Sequence, residues 1–312
     1  MKTFISIFLI AVLISCGAKK EEYAEETTAP EESRYSYSNN FETADPAYMK
    51  IVRDWNNAIV SGDLDLAFSF VADSMEVILA DGTTFNTTAD SMRIIVDQML
   101  SDFTSISINY MAGLSVTNKE NNESWVLSYT DETFENTEGS QRTYVHELYR
   151  IEDGKIRSMY QYAQVPGEDD EPGEPQDGVY SYSGSFEVVD NNNMEIVNGW
   201  KDAVSSNDWE KGMGYLADSV TIIMADGMTI NESKEGLIEM GKEMLAGTSL
   251  EIEFAAAISV NSTPQNTDWV LSWTDEKFTK GDSVETTNIH EAYMIVDGKI
   301  AFVRQFARPD TN

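Results

Sequence analysis

Trp125-Val126-Leu127-Ser128-Tyr129-Thr130-Asp131-Glu132 returns 144 residues later as Trp269-Val270-Leu271-Ser272-Trp273-Thr274-Asp275-Glu276, altered only at Tyr129/Trp273. His146-Glu147 returns as His290-Glu291 at the same spacing. Upstream the spacing becomes 145: Trp55 returns as Trp200, Ala72-Asp73-Ser74 as Ala217-Asp218-Ser219, and Ala80-Asp81-Gly82 as Ala225-Asp226-Gly227. Tyr35-Ser36-Tyr37-Ser38 with Phe41-Glu42 returns as Tyr180-Ser181-Tyr182-Ser183 with Phe186-Glu187. A period this long means duplicated domains and not solenoid units, and one residue has been lost between the blocks. The acidic, Pro- and Gly-containing run Gly167 to Pro175 reads as the linker between the copies.

Within the first copy, Ile51, Trp55, Ala58 and Ile59 fall at helical spacing, and Gly62-Asp63 ends that helix and starts another through Phe70. Met75 to Leu79 reads as a strand and Asp90 to Leu100 as a third helix. Four long strands follow, near Ile106–Val116, Trp125–Phe134, Gln141–Ile151 and Lys155–Val165. Helices first and an antiparallel meander last predict an α+β fold. The predicted architecture is two tandem cone-shaped domains, each with about three N-terminal helices packed on a curved, mostly antiparallel sheet. The boundaries are 1-15 for a leader, 16-45 for a tether, 46-166 for the first domain, 167-189 for the linker and 190-309 for the second domain.

With 54 acidic against 21 basic residues, the formal net charge of -33 argues against nucleic acid as a partner, since a phosphate backbone recruits a basic stripe. One Cys and two His leave no disulfide framework and no Cys- or His-rich metal site, so neither metal nor cofactor is expected. The first residues assign the Cys another task. Met1-Lys2 is followed by an apolar run from Phe4 to Ser15, about 18 Å long as a helix and too short for a ~30 Å bilayer core. It reads as a signal h-region.

Leu13-Ile14-Ser15-Cys16-Gly17 resembles the lipobox of bacterial lipoproteins, which implies cleavage before Cys16 and its lipidation. The polar stretch from Ala18 to Arg34 then tethers the domains to the membrane, and its Lys20-Glu21-Glu22 resembles the export signal of surface lipoproteins of the Bacteroidota group. The expected location is the bacterial cell envelope, at the outer membrane, on its periplasmic or its exposed side.

The element order, with Trp55 in the first helix, the Gly62-Asp63 corner, Asp73-Ser74 opening a strand and the closing Asp153-Gly154-Lys155-Ile156, resembles the nuclear transport factor 2-like superfamily, which includes SnoaL-like cyclases and ketosteroid isomerases. That resemblance implies a curved sheet around a helix-lidded conical pocket. It also implies pairing through the outer sheet face, hence an intramolecular pseudo-dimer of the two copies.

Asp153-Gly154 and Asp297-Gly298 are type I′ hairpin signals. Counting back from them sets His146 opposite Gln161 and His290 opposite Gln305, with Tyr129 and Trp273 on the other flank and Asp131 and Asp275 one diagonal away. Alternation puts Trp125, Leu127, Tyr129, Asp131, His146, Leu148, Met159 and Gln161 on one face, and Ser128, Thr130, Glu132, Thr143 and Glu147 on the other. The first face is the more apolar and is expected to line the pocket. The candidate ligand-binding residues are therefore Tyr129, His146, Gln161 and Trp125 in one copy, and Trp273, His290, Gln305 and Trp269 in the other. The candidate catalytic groups are His146 with Asp131 and His290 with Asp275. Two functions stay open: a lipid-anchored module binding a small apolar ligand, or a SnoaL-like cyclase, dehydratase or isomerase using the His-Asp pair. A cavity under ~300 Å³ would instead point to a structural component whose cones are filled by their own side chains.

Overall fold

Helix ends in the first half follow from local chemistry. Helix α1 (Ala47–Ser61) stops at Gly62, whose φ of 73° is left-handed and whose amide satisfies the last carbonyls of the helix. Asp63 then caps α2 (Leu64–Ser69) by accepting from the Leu66 amide at 3.0 Å. Thr88 caps α3 (Ala89–Leu100) in the same way through the Ser91 amide. Around these run β1 (Phe41–Thr43), β2 (Val71–Ile78), β3 (Thr84–Thr88), β4 (Ser105–Asn118), β5 (Glu123–Asn136), β6 (Gly139–Glu152) and β7 (Lys155–Gln164).

The second half repeats that order with β8 (Phe186–Val188), α4 (Asn193–Ser205), α5 (Trp209–Met213), β9 (Leu216–Ile223), β10 (Thr229–Ser233), α6 (Lys234–Met244), β11 (Ser249–Ser262), β12 (Thr267–Lys280), β13 (Ser283–Val296) and β14 (Lys299–Pro309). At the corner where the first half uses Gly62, the second uses Asn207 at φ 56°, Asn being tolerant of this region. The class is α+β. This computed structural model describes residue 35, residues 40–167, residue 170, residues 186–263 and residues 265–310. The leader, Cys16, most of the tether and most of the linker lie outside the described residues.

The strands form one sheet in the order β1-β4-β5-β6-β7-β14-β13-β12-β11-β8, with β2 parallel to β7 and β9 parallel to β14 at the junction. The two halves meet through the pairing of Ala163 with Ala307. Gln164 bolts that seam: its Nε2 donates to the Gln305 carbonyl at 3.0 Å, and its Oε1 accepts from Arg304 Nε at 2.7 Å.

Register departs from the simple hairpin count at one point in each half. Asp153-Gly154 and Asp297-Gly298 do form turns with positive φ, and Glu152 pairs with Lys155. A β-bulge then follows. Arg150 pairs with Ser158 while Ile151 pairs with Ile156, so Arg157 is the extra residue, and Ala301 is extra in the second half. Beyond the bulge every partner moves by one. His146 faces Tyr162 and Glu147 faces Gln161; His290 faces Phe306 and Glu291 faces Gln305. The expected His146–Gln161 and His290–Gln305 pairs are thereby corrected, because a single inserted residue flips the following side chains to the opposite face. The other flank agrees with expectation: Tyr129 pairs with His146 and Trp273 with His290.

Both sheet faces are buried, which decides where the core sits. Inside the first half, Trp55, Met75, Tyr110, Val126, Tyr149, Ile156 and Met159 pack under the helices. Val197, Leu216, Ile238, Val270, Tyr293 and Ile300 do so inside the second. A separate cluster joins the halves across their outer faces, with Leu114, Leu127, Tyr144 and Tyr162 against Ile258, Leu271, Trp273 and Phe306. Tyr129 and Trp125 pack against this joint cluster, so the face expected to line the pocket lies between the halves instead. Apolar content failed as a guide because the outer face is also removed from water. Tyr35, assigned to the tether, is buried against Phe254 of the second half.

Candidate functional sites

The two histidines meet at the centre of the molecule. Strands β6 and β13 bring their rings face to face, with centroids 3.8 Å apart and planes 24° from parallel, and neither residue is exposed. His146 Nδ1 lies 3.1 Å from the Ser128 carbonyl and His290 Nδ1 lies 3.0 Å from that of Ser272. A carbonyl can only accept, so each Nδ1 carries the proton. Each Nε2 is then an acceptor, and each is served by the opposite half: Trp273 Nε1 donates to His146 at 3.2 Å and the Tyr129 hydroxyl donates to His290 at 2.9 Å. The one difference between the duplicated octapeptides is thus an exchange of one donor for another.

Burial pushes the His146 pKa down to about 3, against the opposing effect of the Ser128 carbonyl. Burial, then the neighbouring His146, lower that of His290 as well. Both rings are neutral near pH 7. Asp131 stands opposite Tyr144, and its carboxylate is gripped by Arg142 through two bonds of 2.8 Å. Asp275 accepts from Asn288 at 2.5 Å. The geometry thus gives Asp131 to Arg142 and Asp275 to Asn288, and gives the neutral histidines to backbone carbonyls and to the Trp273 and Tyr129 donors.

Beside the stack a groove of about 270 Å³ opens between the halves, lined by Met111, Leu114, Tyr129, Trp269, Phe302 and Arg304 among others. It holds two of the candidate ligand-binding residues, Tyr129 and Trp269. Trp125 leans on Tyr160 at the sheet surface, with ring centroids 6.0 Å apart.

Gln161 and Gln305 point the other way, into the cones. There they meet Glu132 and Glu147, which alternation places on the opposite face, and in the second half the counterparts Glu276 and Glu291. In the first cone Gln161 Nε2 donates to Glu147 Oε1 at 2.9 Å, the Tyr149 hydroxyl donates to Oε2 at 2.7 Å, and Thr130 donates to Glu132 at 2.8 Å. Burial, then the nearby Glu147, push the Glu132 pKa up to about 8. Burial also raises Glu147, against the bonds from Gln161 and Tyr149.

The second cone answers its carboxylates with a lysine. Lys201, on α4, reaches Glu276 at 2.8 Å, Glu291 at 2.5 Å and Thr274 at 3.1 Å, while Tyr293 donates to Glu291. Burial opposes the ammonium charge, but the two carboxylates outweigh it and hold the lysine above its ordinary range. A cavity of about 210 Å³ opens over this triad, walled by Trp200, Trp209, Ile222, Met240 and Phe278, with Lys201, Glu276, Glu291 and Gln305 in its lining. A signal for the triad is present in the sequence: Lys201 sits four residues after Val197, in the buried stripe of an amphipathic helix. Among the described residues no group of three or more His, Cys, Asp or Glu side chains is placed to hold a metal ion. Among them, no helix is long and apolar enough to cross a membrane.

No protein-family model and no curated protein matches the chain. Among solved structures it is similar to an LEH-like epoxide hydrolase of M. tuberculosis, at 14% identity and a TM-score of 0.33, over 37% of this chain and 82% of that one. It is also similar to an NTF2-like protein of Burkholderia xenovorans, at 16% identity and 0.31, over 39% and 93%. A protein of Catenulispora acidiphila with a ketosteroid isomerase-like fold aligns at 12% identity and 0.30, over 36% and 84%.

Proposed function

We propose that the chain is a cell-envelope protein, anchored through acylated Cys16, in which two nuclear transport factor 2-like domains at 46-166 and 190-309 form an intramolecular pseudo-dimer and bind small molecules. The observation that carries the binding role is the second cone, an apolar cavity with a buried Lys201–Glu276–Glu291 triad in its wall. Apolar walls with a few convergent polar groups are the usual make-up of a ligand site. A volume of about 210 Å³ lies below the ~300 Å³ at which drug-sized sites begin, so the ligand is small. An apolar cavity of ~150 Å³ holds benzene. A ring with one hydroxyl fits: the ring against Trp200 and Trp209, the hydroxyl donating to a carboxylate of the triad.

The test is calorimetric and fluorescence titration of the mature protein with p-cresol and cyclohexanol. Saturable binding that quenches or shifts tryptophan emission and is lost in Val204→Phe, which fills the cavity, is the expected result. Absence of binding, or binding indifferent to Val204→Phe, leaves the cones as self-filled structure. The anchor is tested separately: metabolic labelling with a fatty acid should tag the native chain and not Cys16→Ser.

A further inference from the structure

The repeat makes the two cones comparable residue by residue, and they part at one position. A spacing of 145 aligns Asn56 with Lys201. In the second cone the Lys201 ammonium bridges Glu276 and Glu291 and touches Thr274. In the first cone the acceptors of that ammonium are all kept, as Glu132, Glu147 and Thr130, and so are the residues that orient them, Tyr149 and Gln161. The cation is not kept.

Asn56, only 2% exposed, lies beside Glu147, its Oδ1 3.5 Å from the same Tyr149 hydroxyl that bonds that carboxylate. Among the described residues its Nδ2 has no hydrogen-bond partner. Glu132 and Glu147 are 5% and 2% exposed, and among the described residues neither has an ion-pair partner. Two carboxylates buried together cannot both ionise without a counter-charge. Left to itself, the first cone meets this by keeping a proton, as the raised Glu132 pKa shows.

We propose that the first cone is a binding site for a primary ammonium group, which seats between Glu132 and Glu147 as the Lys201 ammonium seats between Glu276 and Glu291. The ligand's alkyl stem takes the path of the lysine methylenes that Asn56 lacks, beside the buried Asn56 amide whose Oδ1 neighbours the Tyr149 hydroxyl. On binding near neutral pH, the proton held by the carboxyl pair is released to solvent and the ammonium replaces its charge. Nothing in this depends on the second cone taking a ligand.

The probe is n-butylammonium, which reproduces the lysine side chain from Cβ outward. Calorimetry on the chain from residue 16 onward, carrying Cys16→Ser, should show one saturable site. Its affinity should rise about tenfold from pH 6 to pH 7, as expected when binding displaces a proton from a group titrating near 8. 1-Butanol, the same shape without the charge, should not bind. Asn56→Lys, which supplies a covalent ammonium, should abolish the site. Glu132→Gln, which keeps the shape and removes a charge, should weaken it at least tenfold at pH 8. No saturable binding at pH 8, equal binding of 1-butanol, or a site that survives Glu132→Gln or a folded Asn56→Lys overturns the proposal. The second cone keeps its lysine in every arm, so failure here leaves the p-cresol result to be judged by itself.

Discussion

The two histidines show how neighbours can dictate protonation. His146 Nε2 receives its hydrogen bond from the Trp273 indole, which can only donate, so protonating that buried ring would set donor against donor, and at His290 it would force the Tyr129 hydroxyl to turn from donor to acceptor. The folded pKa of His146, about 3, lies below the ordinary value of 6.5. Its contribution to stability is therefore complete above pH 6.5 and is lost as pH falls towards 3. An NMR titration should find both imidazoles neutral between pH 5 and 8; a midpoint near 6.5 for either ring contradicts the stack. Lys201 poses the opposite case. Replacing it with methionine strands two buried carboxylates, and the variant should lose about 3–5 kcal/mol in urea denaturation. A loss below about 1 kcal/mol would mean that the triad is wet.

Elements in the two halves differ where one side chain has grown and another has shrunk. On α5 of the second half Trp209 stands where α2 of the first has Leu64, and on α6 Gly241 stands where α3 has Val96. A Cβ on Gly241 would come within 2.8 Å of the Trp209 ring, so this helical glycine exists to admit the indole that walls the cavity. Gly241→Val should cost about 1–3 kcal/mol through overpacking, despite the better helix propensity of valine over glycine. Trp209→Leu in the same chain should recover most of that loss. If the double variant loses the sum of the two single losses, the pair is not coupled. The helices, the corner between the first two and the hairpin turns were legible because their determinants are a few residues apart: Gly62-Asp63, Asp153-Gly154. The bulges at Arg157 and Ala301 were not. Nothing in Ile156-Arg157-Ser158 or Ile300-Ala301-Phe302 marks an extra residue, since a bulge is set by the twist the whole sheet must take.

The whole molecule is where burial of the second sheet face matters. Residues 34–312 form one compact unit. The joint cluster and the Gln164–Arg304 seam make the halves one body, so small-angle scattering on a chain lacking residues 1–33 should give a single mass with a radius of gyration of about 19 Å. A dumbbell profile with two separated masses would contradict it. A half expressed alone would expose Leu127, Tyr129, His146 and Tyr162 together, an apolar patch that in monomers is rarely left open.

From the chain alone one can read the duplication, the α+β order, most element boundaries and the identity of the histidine, glutamine and glutamate rows, because repetition and local periodicity are properties of sequence. Which row faces a cone and which faces the other half is a property of the assembled sheet. A strand carries two faces, and their polarity ranks them only if one meets water. Here neither does: the halves cover one face and the helices the other. Tertiary packing therefore sent the histidines to the seam and the carboxylates to the cones, where Lys201 and Asn56 set the two apart.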